Sequence, residues 1–208
     1  MLPEKQNIVI VDYGMGNLRS VYNKCKRIGF DTIISNQKED LKNADKLILP
    51  GVGHFANGMK KLKELDLIDI LNQKVFSDKT PILGICLGMQ LFCRFSEEGN
   101  VEGLNWFDAE TIRFTLSDIR FKIPHMGWNS ITLKKQSNIL DSLDLDHLFY
   151  FVHSYHVVCN DNKDVLATTN YGYEFVSAIE KDNILGVQFH PEKSHEWGEQ
   201  ILKNFLEK

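Results

Sequence analysis

Short apolar runs alternate with helically spaced ones through the first half of the chain. Asn7 to Val11 reads as a buried strand, followed by the turn residues Asp12, Tyr13, Gly14, Met15, Gly16 and Asn17. Leu18, Val21, Tyr22, Cys25 and Ile28 then recur at the i, i+3, i+4, i+7 spacing of one helical face, which Gly29 ends. Thr32 to Ser35 completes a strand, helix, strand unit. The pattern repeats with Lys46 to Leu49 as a strand, Pro50-Gly51-Val52-Gly53 as a turn, and a helical stretch carrying Phe55, Met59, Leu62 and Leu65. Ile82 to Ile85 is the next strand. Parallel strands need crossovers and bury both faces, so the alternation predicts a mostly parallel sheet covered on both sides.

From about Glu110 the grammar changes to strand-like runs with few helices between them. These are Thr111 to Phe114, Trp128 to Leu133, Leu148 to Val152, Tyr155 to Val158, Val165 to Thr169, Val176 to Glu180 and Ile184 to Phe189. The expected result is an antiparallel or mixed extension of the same sheet, closed by a last helix with Trp197, Ile201, Leu202 and Phe205 on its face. Fold class is therefore α/β. No linker, repeat or low-complexity segment interrupts residues 1–208, and a chain of this length as one domain buries roughly 70% of the surface it exposes unfolded.

Composition narrows the function classes. With 43% hydrophobic and 25% charged residues the chain reads as an ordinary soluble globular protein. A net charge of −4, scattered and without a basic run, excludes tracking a nucleic-acid backbone. Met1 to Asn7 is polar and lacks the basic and apolar regions of a signal peptide, and no apolar window approaches the ~20 residues that cross a bilayer. No membrane association is expected. Cys25, Cys86, Cys93 and Cys159 form no CxxC pair, which argues against zinc and a disulfide framework and suits a reducing cytoplasm. Cys25 and Cys93 fall at apolar positions of expected helices and read as core.

Cys86 is different, because Gly84-Ile85-Cys86-Leu87-Gly88 has the G-x-nucleophile-x-G form at a strand-to-helix turn. The two glycines let neighbouring backbone come close. Sulfur attacks as thiolate, and an unperturbed thiol of pKa ~8.5 is only slightly ionised near neutrality, so a helix N-terminus and a nearby imidazolium are the expected help. The Leu87 N–H, just past the nucleophile, is the natural first donor to an oxyanion. Val187-Gln188-Phe189-His190-Pro191-Glu192-Lys193-Ser194 sets His190 at a strand end, where open sheets place their sites. Glu192, two residues on, is placed to hold one ring nitrogen and fix the tautomer.

Two other chemistries find no support. His54, His125, His147, His153, His156 and His195 include no helical i, i+4 pair with a third ligand nearby, so no metal is expected. Gly14-x-Gly16 lacks the third glycine of a dinucleotide loop, since position 19 is Arg19, and no cofactor is expected.

Five motifs in succession carry a resemblance. They are Pro50-Gly51-Val52-Gly53, Gly84 to Gln90, Pro124-His125-Met126-Gly127-Trp128-Asn129, Phe151-Val152-His153-Ser154-Tyr155 and Gln188 to Ser194. Together, over nearly the whole chain, they resemble the class I glutamine amidotransferases. More narrowly they are similar to the glutaminase subunits of imidazole glycerol phosphate synthase, in histidine biosynthesis. The resemblance implies a three-layer flavodoxin-like fold and a triad of Cys86, His190 and Glu192. It implies that Gly53, Gln90, His153, Ser154 and Tyr155 grip L-glutamine and that Gly51-Val52-Gly53 is the oxyanion strand, and we expect the Val52 N–H to join that of Leu87 as an oxyanion donor only when the partner is loaded. It also implies a heterodimer with a (β/α)8 barrel cyclase, met by Asn17, Trp128, Asn129 and Lys193, to which ammonia is passed.

Two features depart from the resembled pattern. Gly103-Leu104-Asn105-Trp106-Phe107-Asp108-Ala109-Glu110 differs from the Gly-Leu-x-x-Ile-x-Gly form, and His195 follows Lys193-Ser194. Both leave the glutaminase chemistry intact and keep a second acceptor open, a sugar-amidating partner in surface polysaccharide synthesis. A stand-alone cysteine hydrolase or peptidase would need no partner, and a catalytically dead binding module would not need Cys86, His190 and Glu192.

Overall fold

The computed structural model describes residues 6–140 and 147–207. Most of the polar leading stretch, residues 1–5, lies outside the described residues, as does the last residue of the expected 1–208 domain. The elements are β1 Ile8–Val11, α1 Leu18–Arg27, β2 Thr32–Ser35, α2 Lys38–Lys42, β3 Lys46–Gly51, α3 Phe55–Glu64, α4 Ile68–Asn72, β4 Ile82–Cys86, α5 Leu87–Leu91, β5 Cys93–Ser96, β6 Val101–Glu102 and β7 Phe107–Arg113. They continue with β8 His125–Ser130, β9 Thr132–Leu133, β10 Leu148–His153, β11 Tyr155–Cys159, β12 Val165–Tyr171, β13 Tyr173–Lys181, β14 Ile184–Val187 and α6 His195–Glu207.

The main sheet runs β2-β1-β3-β4-β14-β13-β11-β7-β5-β6, with β12 on β13 and β9 on β12. Its first five strands are parallel. From β13 to β7 the neighbours are antiparallel. The expected mostly parallel sheet with an antiparallel extension is therefore present. Successive side chains of a strand face opposite ways, and β1 shows it. Val9 and Val11 join the core under α3, α4 and α5, while Ile8 and Ile10 join the core that α1 and α6 cover. Helices on both faces make three layers in a flavodoxin-like arrangement.

Three expectations change. Leu148 to Val152 and the first part of Trp128 to Leu133 do not extend the main sheet, which only Thr132–Leu133 joins, on β12. Instead β8 and β10 form their own two-stranded antiparallel sheet, from His125 opposite His153 to Ser130 opposite Leu148. On β8, buried His125 alternates with exposed Met126 and Trp128, so one face is left open and no covered position in the main sheet suits it. Cys93 is buried as expected but lies in β5, not in a helix. It pairs with Phe107 of β7 in the parallel β5–β7 ladder, and this tertiary pairing overrides the local apolar pattern of the short helix before it. The short helices α2 and α4 went unread because five residues carry too little periodicity.

Two glycines are required by close approaches that position the site. A Cβ on Gly88 would stand 1.8 Å from the Leu49 carbonyl oxygen, so α5 lies directly on β3. A Cβ on Gly198 would stand 1.9 Å from the Pro191 carbonyl oxygen, which seats α6 on the turn after His190. The far end of α6 is held by buried Lys46, whose Nζ donates to the carbonyls of Phe205 at 3.1 Å and Leu206 at 2.7 Å. A cation at helix-terminal carbonyls satisfies their missing partners and suits the dipole. Lys46→Met is expected to lower stability by about 2 kcal/mol through the orphaned carbonyls. Urea unfolding measures this, and an unchanged midpoint would refute it.

Candidate active site

Cys86 ends β4, a strand flanked in parallel by β3 and β14, with Gly51 as its register partner on β3. Its backbone stands at φ 54° and ψ −109°, in a region that L-residues rarely occupy. Such a conformation costs on the order of 1–3 kcal/mol and persists only where the surroundings determine it. Here the central strand fixes one side and the Gly88 contact on Leu49 the other. The helix that follows has only five residues, all buried. What α5 offers is therefore its free first N–H groups rather than a long dipole. Burial pushes the thiols of Cys25, Cys93 and Cys159 up to about 12, so none of them competes as a thiolate near neutrality.

His190 follows β14 and opens the short turn Pro191–Lys193. β10 pins it: the His190 N–H donates to the Tyr150 carbonyl at 2.9 Å, and the Ser194 hydroxyl donates to the His190 carbonyl at 2.6 Å while accepting from the Tyr150 N–H at 3.0 Å. Nδ1 of His190 bonds the Glu192 carboxylate at 2.8 Å, with both side chains buried. Nε2 is buried and makes no hydrogen bond. Burial by itself would lower the ring's pKa. The negative charge of Cys86 beside the ring outweighs that, with the Glu192 carboxylate adding to it, and the imidazole is raised to about 10. Cys86 is thus near enough to His190 Nε2 to act on it electrostatically.

Val52, Gly53, Cys86, Leu87, Gln90 and the segment His153 to Tyr155 line one cavity of about 360 Å³. Every residue expected to act on or bind substrate, apart from the deeper His190 and Glu192, meets there. A larger cavity of about 680 Å³ is lined by Arg27, Trp128, His147, His195 and Trp197 among others, with no cysteine in its lining. Two expected binding groups are partly committed inside the protein. His153 bonds the Tyr155 carbonyl through Nδ1 at 2.7 Å and His125 through Nε2 at 3.1 Å, leaving no ring nitrogen for a ligand. Gln90 Nε2 donates to the Tyr155 carbonyl and to Gln188 Oε1, each at 3.0 Å, so it has only its carbonyl to offer.

Sequence reasoning missed two polar groups here. Glu98 lines the cavity and accepts from the Phe55 N–H at 2.8 Å. Its signal, the Ser-Glu-Glu-Gly run after β5, was hidden by the helical reading of Cys93. Gln188 is fully buried, with Nε2 at 3.6 Å from the Cys86 sulfur.

The residues expected to meet a partner occupy more than one place. Trp128 is 43% exposed on the open face of β8, edge-on to Tyr150 at 5.8 Å and flat against His195 at 4.7 Å. Lys193 Nζ lies 5.4 Å from the Tyr150 ring centre, so these four make one exposed aromatic and cationic patch. Asn129 commits its amide within the chain, donating to the exposed Asn170 carbonyl at 2.9 Å. Asn17 is the N-cap of α1, accepting from the Ser20 N–H at 3.3 Å. Among the described residues no group of three His, Cys, Asp or Glu is placed to hold a metal ion, and no helix is long and apolar enough to cross a membrane.

A strained cysteine at the end of a central parallel strand thus lies close to a histidine held by a carboxylate. The chain belongs to the glutamine amidotransferase class-I family, whose pattern matches residues 9–208. It is 56% identical to imidazole glycerol phosphate synthase subunit HisH 2 of Methanococcus maripaludis, over 96% of this chain and 98% of that one. It is 49% identical to subunit HisH of Sulfurimonas denitrificans, over 95% and 96% of the two chains. The fold matches a crystal structure of a glutamine amidotransferase with TM-score 0.71 at 20% identity, covering 96% of this chain and 97% of the other. It also matches PurLQS from Thermotoga maritima with TM-score 0.73 at 17% identity, covering 98% and 99%.

A raised folded-state pKa stabilises the fold below the unfolded value and ceases to do so as pH rises past the folded one. His190 should therefore contribute fully below pH 6.5 and lose its contribution as pH climbs through about 10. The melting-temperature gap between the native chain and His190→Gln should narrow over that interval. A gap that widens with pH would contradict the charged assignment.

Proposed function

We propose that the chain is the glutaminase subunit of imidazole glycerol phosphate synthase, one domain over residues 1–208, working in the cytoplasm without metal or cofactor. It hydrolyses L-glutamine to glutamate and ammonia and hands the ammonia to a (β/α)8 barrel cyclase partner in histidine biosynthesis. The observation that carries the chemistry is the Cys86 sulfur on its strained turn with His190 held at 2.8 Å by Glu192. The names of relatives at 49–56% identity carry the choice of acceptor.

In this reading the Cys86 thiolate attacks the carboxamide carbon, and the N–H groups of Leu87 and Val52 receive the oxyanion. His190 gives its proton to the departing nitrogen, the C–N bond breaks, and a thioester is left. Water, relieved of a proton by the same ring, then releases glutamate and the thiol. Glu192 keeps the ring oriented. Gly53, Ser154 and Tyr155 provide backbone and hydroxyl contacts, while the carbonyl of Gln90 and the carboxylate of Glu98 accept from the α-ammonium. His153 shapes the cavity wall through its backbone. Trp128, Lys193, Asn129 and Asn17 meet the cyclase, and its loaded state turns the Val52 N–H into the site.

One observation favours a second acceptor. His195, at φ 48°, lies flat on Trp128, and so alters the surface expected to dock the cyclase. A sugar-amidating partner of surface polysaccharide synthesis is the corresponding reading.

Glutamate release should be assayed with the chain alone, with a histidine-pathway barrel cyclase, and with a sugar amidotransferase synthase subunit. A strong rise with the cyclase is expected, and a rise only with the sugar enzyme selects the second reading. Cys86→Ala should lower the stimulated rate about a thousandfold or more. Full activity of the isolated chain would exclude partner gating through Val52.

A further inference from the structure

Gln188 takes no part in the triad, yet it is wholly buried and its amide nitrogen lies 3.6 Å from the Cys86 sulfur. Which end of a buried amide faces a neighbour follows from counting donors and acceptors. The Tyr155 carbonyl only accepts. It is met at 3.0 Å by one end of the Gln90 amide, so that end is the NH2 group. The same nitrogen meets Gln188 at 3.0 Å, so Gln188 must turn its oxygen there. Its own NH2 is thereby left facing the sulfur. A flipped Gln188 would set two NH2 groups against each other and a carbonyl oxygen against sulfur.

The anchor of this pair is itself fixed. His153 Nδ1 also donates to the Tyr155 carbonyl, at 2.7 Å, which makes its Nε2 the acceptor for His125 Nδ1 at 3.1 Å. Burial holds His153 well below the ordinary histidine range and lowers His125 to about 4, so both rings stay neutral near neutral pH and keep these roles. The polarity of every bond from His125 to the sulfur is set.

We infer that Gln188 is a further residue of the catalytic site, whose Nε2–H, locked in place by Gln90 and the Tyr155 carbonyl, donates to the Cys86 thiolate and orients it. The inference rests on Cys86 being the nucleophile. A hydrogen bond to a charged acceptor is among the stronger ones, and a buried thiolate has few other donors to draw on. The donation stabilises the anion in the free enzyme without taking part in proton transfer, as a neutral amide does not titrate near neutral pH.

The test uses the full chain and two variants, Gln188→Met, which keeps the length, and Gln188→Glu, which keeps the shape and the acceptor for Gln90. Alkylation of Cys86 by iodoacetamide, followed by peptide mass spectrometry across pH, reads its ionisation. In folded variants the midpoint should rise by about one pH unit, and partner-stimulated kcat should fall about tenfold with KM for glutamine within about twofold. An unmoved midpoint in a folded variant overturns the inference. Should both variants misfold, ¹⁵N spectra of the native chain decide. The Gln188 side-chain amide protons should shift downfield through the Cys86 midpoint, and constancy there overturns it. The alkylation and ¹⁵N arms need no glutamine turnover, so a native chain that never releases glutamate refutes the nucleophile reading without touching the Gln188 result.

Discussion

The site depends on one backbone constraint, the turn at Cys86. A cysteine at φ 54° is unfavourable on its own, and two contacts hold it there. β4 is clamped between β3 and β14, and α5 is pressed onto the Leu49 carbonyl by a residue without a side chain. Release either contact and Cys86 relaxes into an ordinary strand or helix residue, turning its sulfur into the core. Everything else at the site is arranged around that fixed sulfur. β10 ties down His190, α6 seats the turn that carries Glu192, and the Tyr155 carbonyl orders the two glutamines.

Polar accounting separates residues that can meet a ligand from those that build the wall. His153 lines the cavity, but both of its ring nitrogens are used within the protein. Gln90 has given up both amide hydrogens. Glu98 keeps one carboxylate oxygen on the Phe55 N–H and has capacity to spare. A ligand with an ammonium group therefore finds acceptors in this cavity. The donors for a carboxylate and an oxyanion must come from backbone N–H groups and the Ser154 hydroxyl.

Much of this was legible in the sequence, for reasons that can be named. The G-x-C-x-G turn and the His-Pro-Glu run are local, since a few adjacent residues define both the geometry and the chemistry. The parallel half of the sheet announced itself through apolar runs separated by helical spacings. The pairing of β8 with β10 was not legible, because period-two alternation marks a strand without saying which strand lies beside it. Cys93 was misplaced because a single turn of helix and the start of a strand share the same apolar positions. Gln188 was invisible as a functional group because its role comes from contacts 98 and 102 residues away in sequence.

The two departures from the resembled pattern separate once the fold is known. Trp106 is buried, stacked on Phe92 at 4.7 Å, with its indole N–H on Asn72 Oδ1 at 2.8 Å. Trp106 in the altered segment is thus matched to the core beneath β5 and β7. His195 has no such explanation. It sits on the exposed ring of Trp128, next to Tyr150 and Lys193, and changes the shape of the aromatic patch where an ammonia acceptor is proposed to dock. Any divergence of acceptor within this family must be written where chains meet, since the cavity that holds glutamine has the same task whatever receives the ammonia. The stacked His195 and Trp128 pair is therefore where the choice of partner is first to be sought, ahead of the buried Trp106.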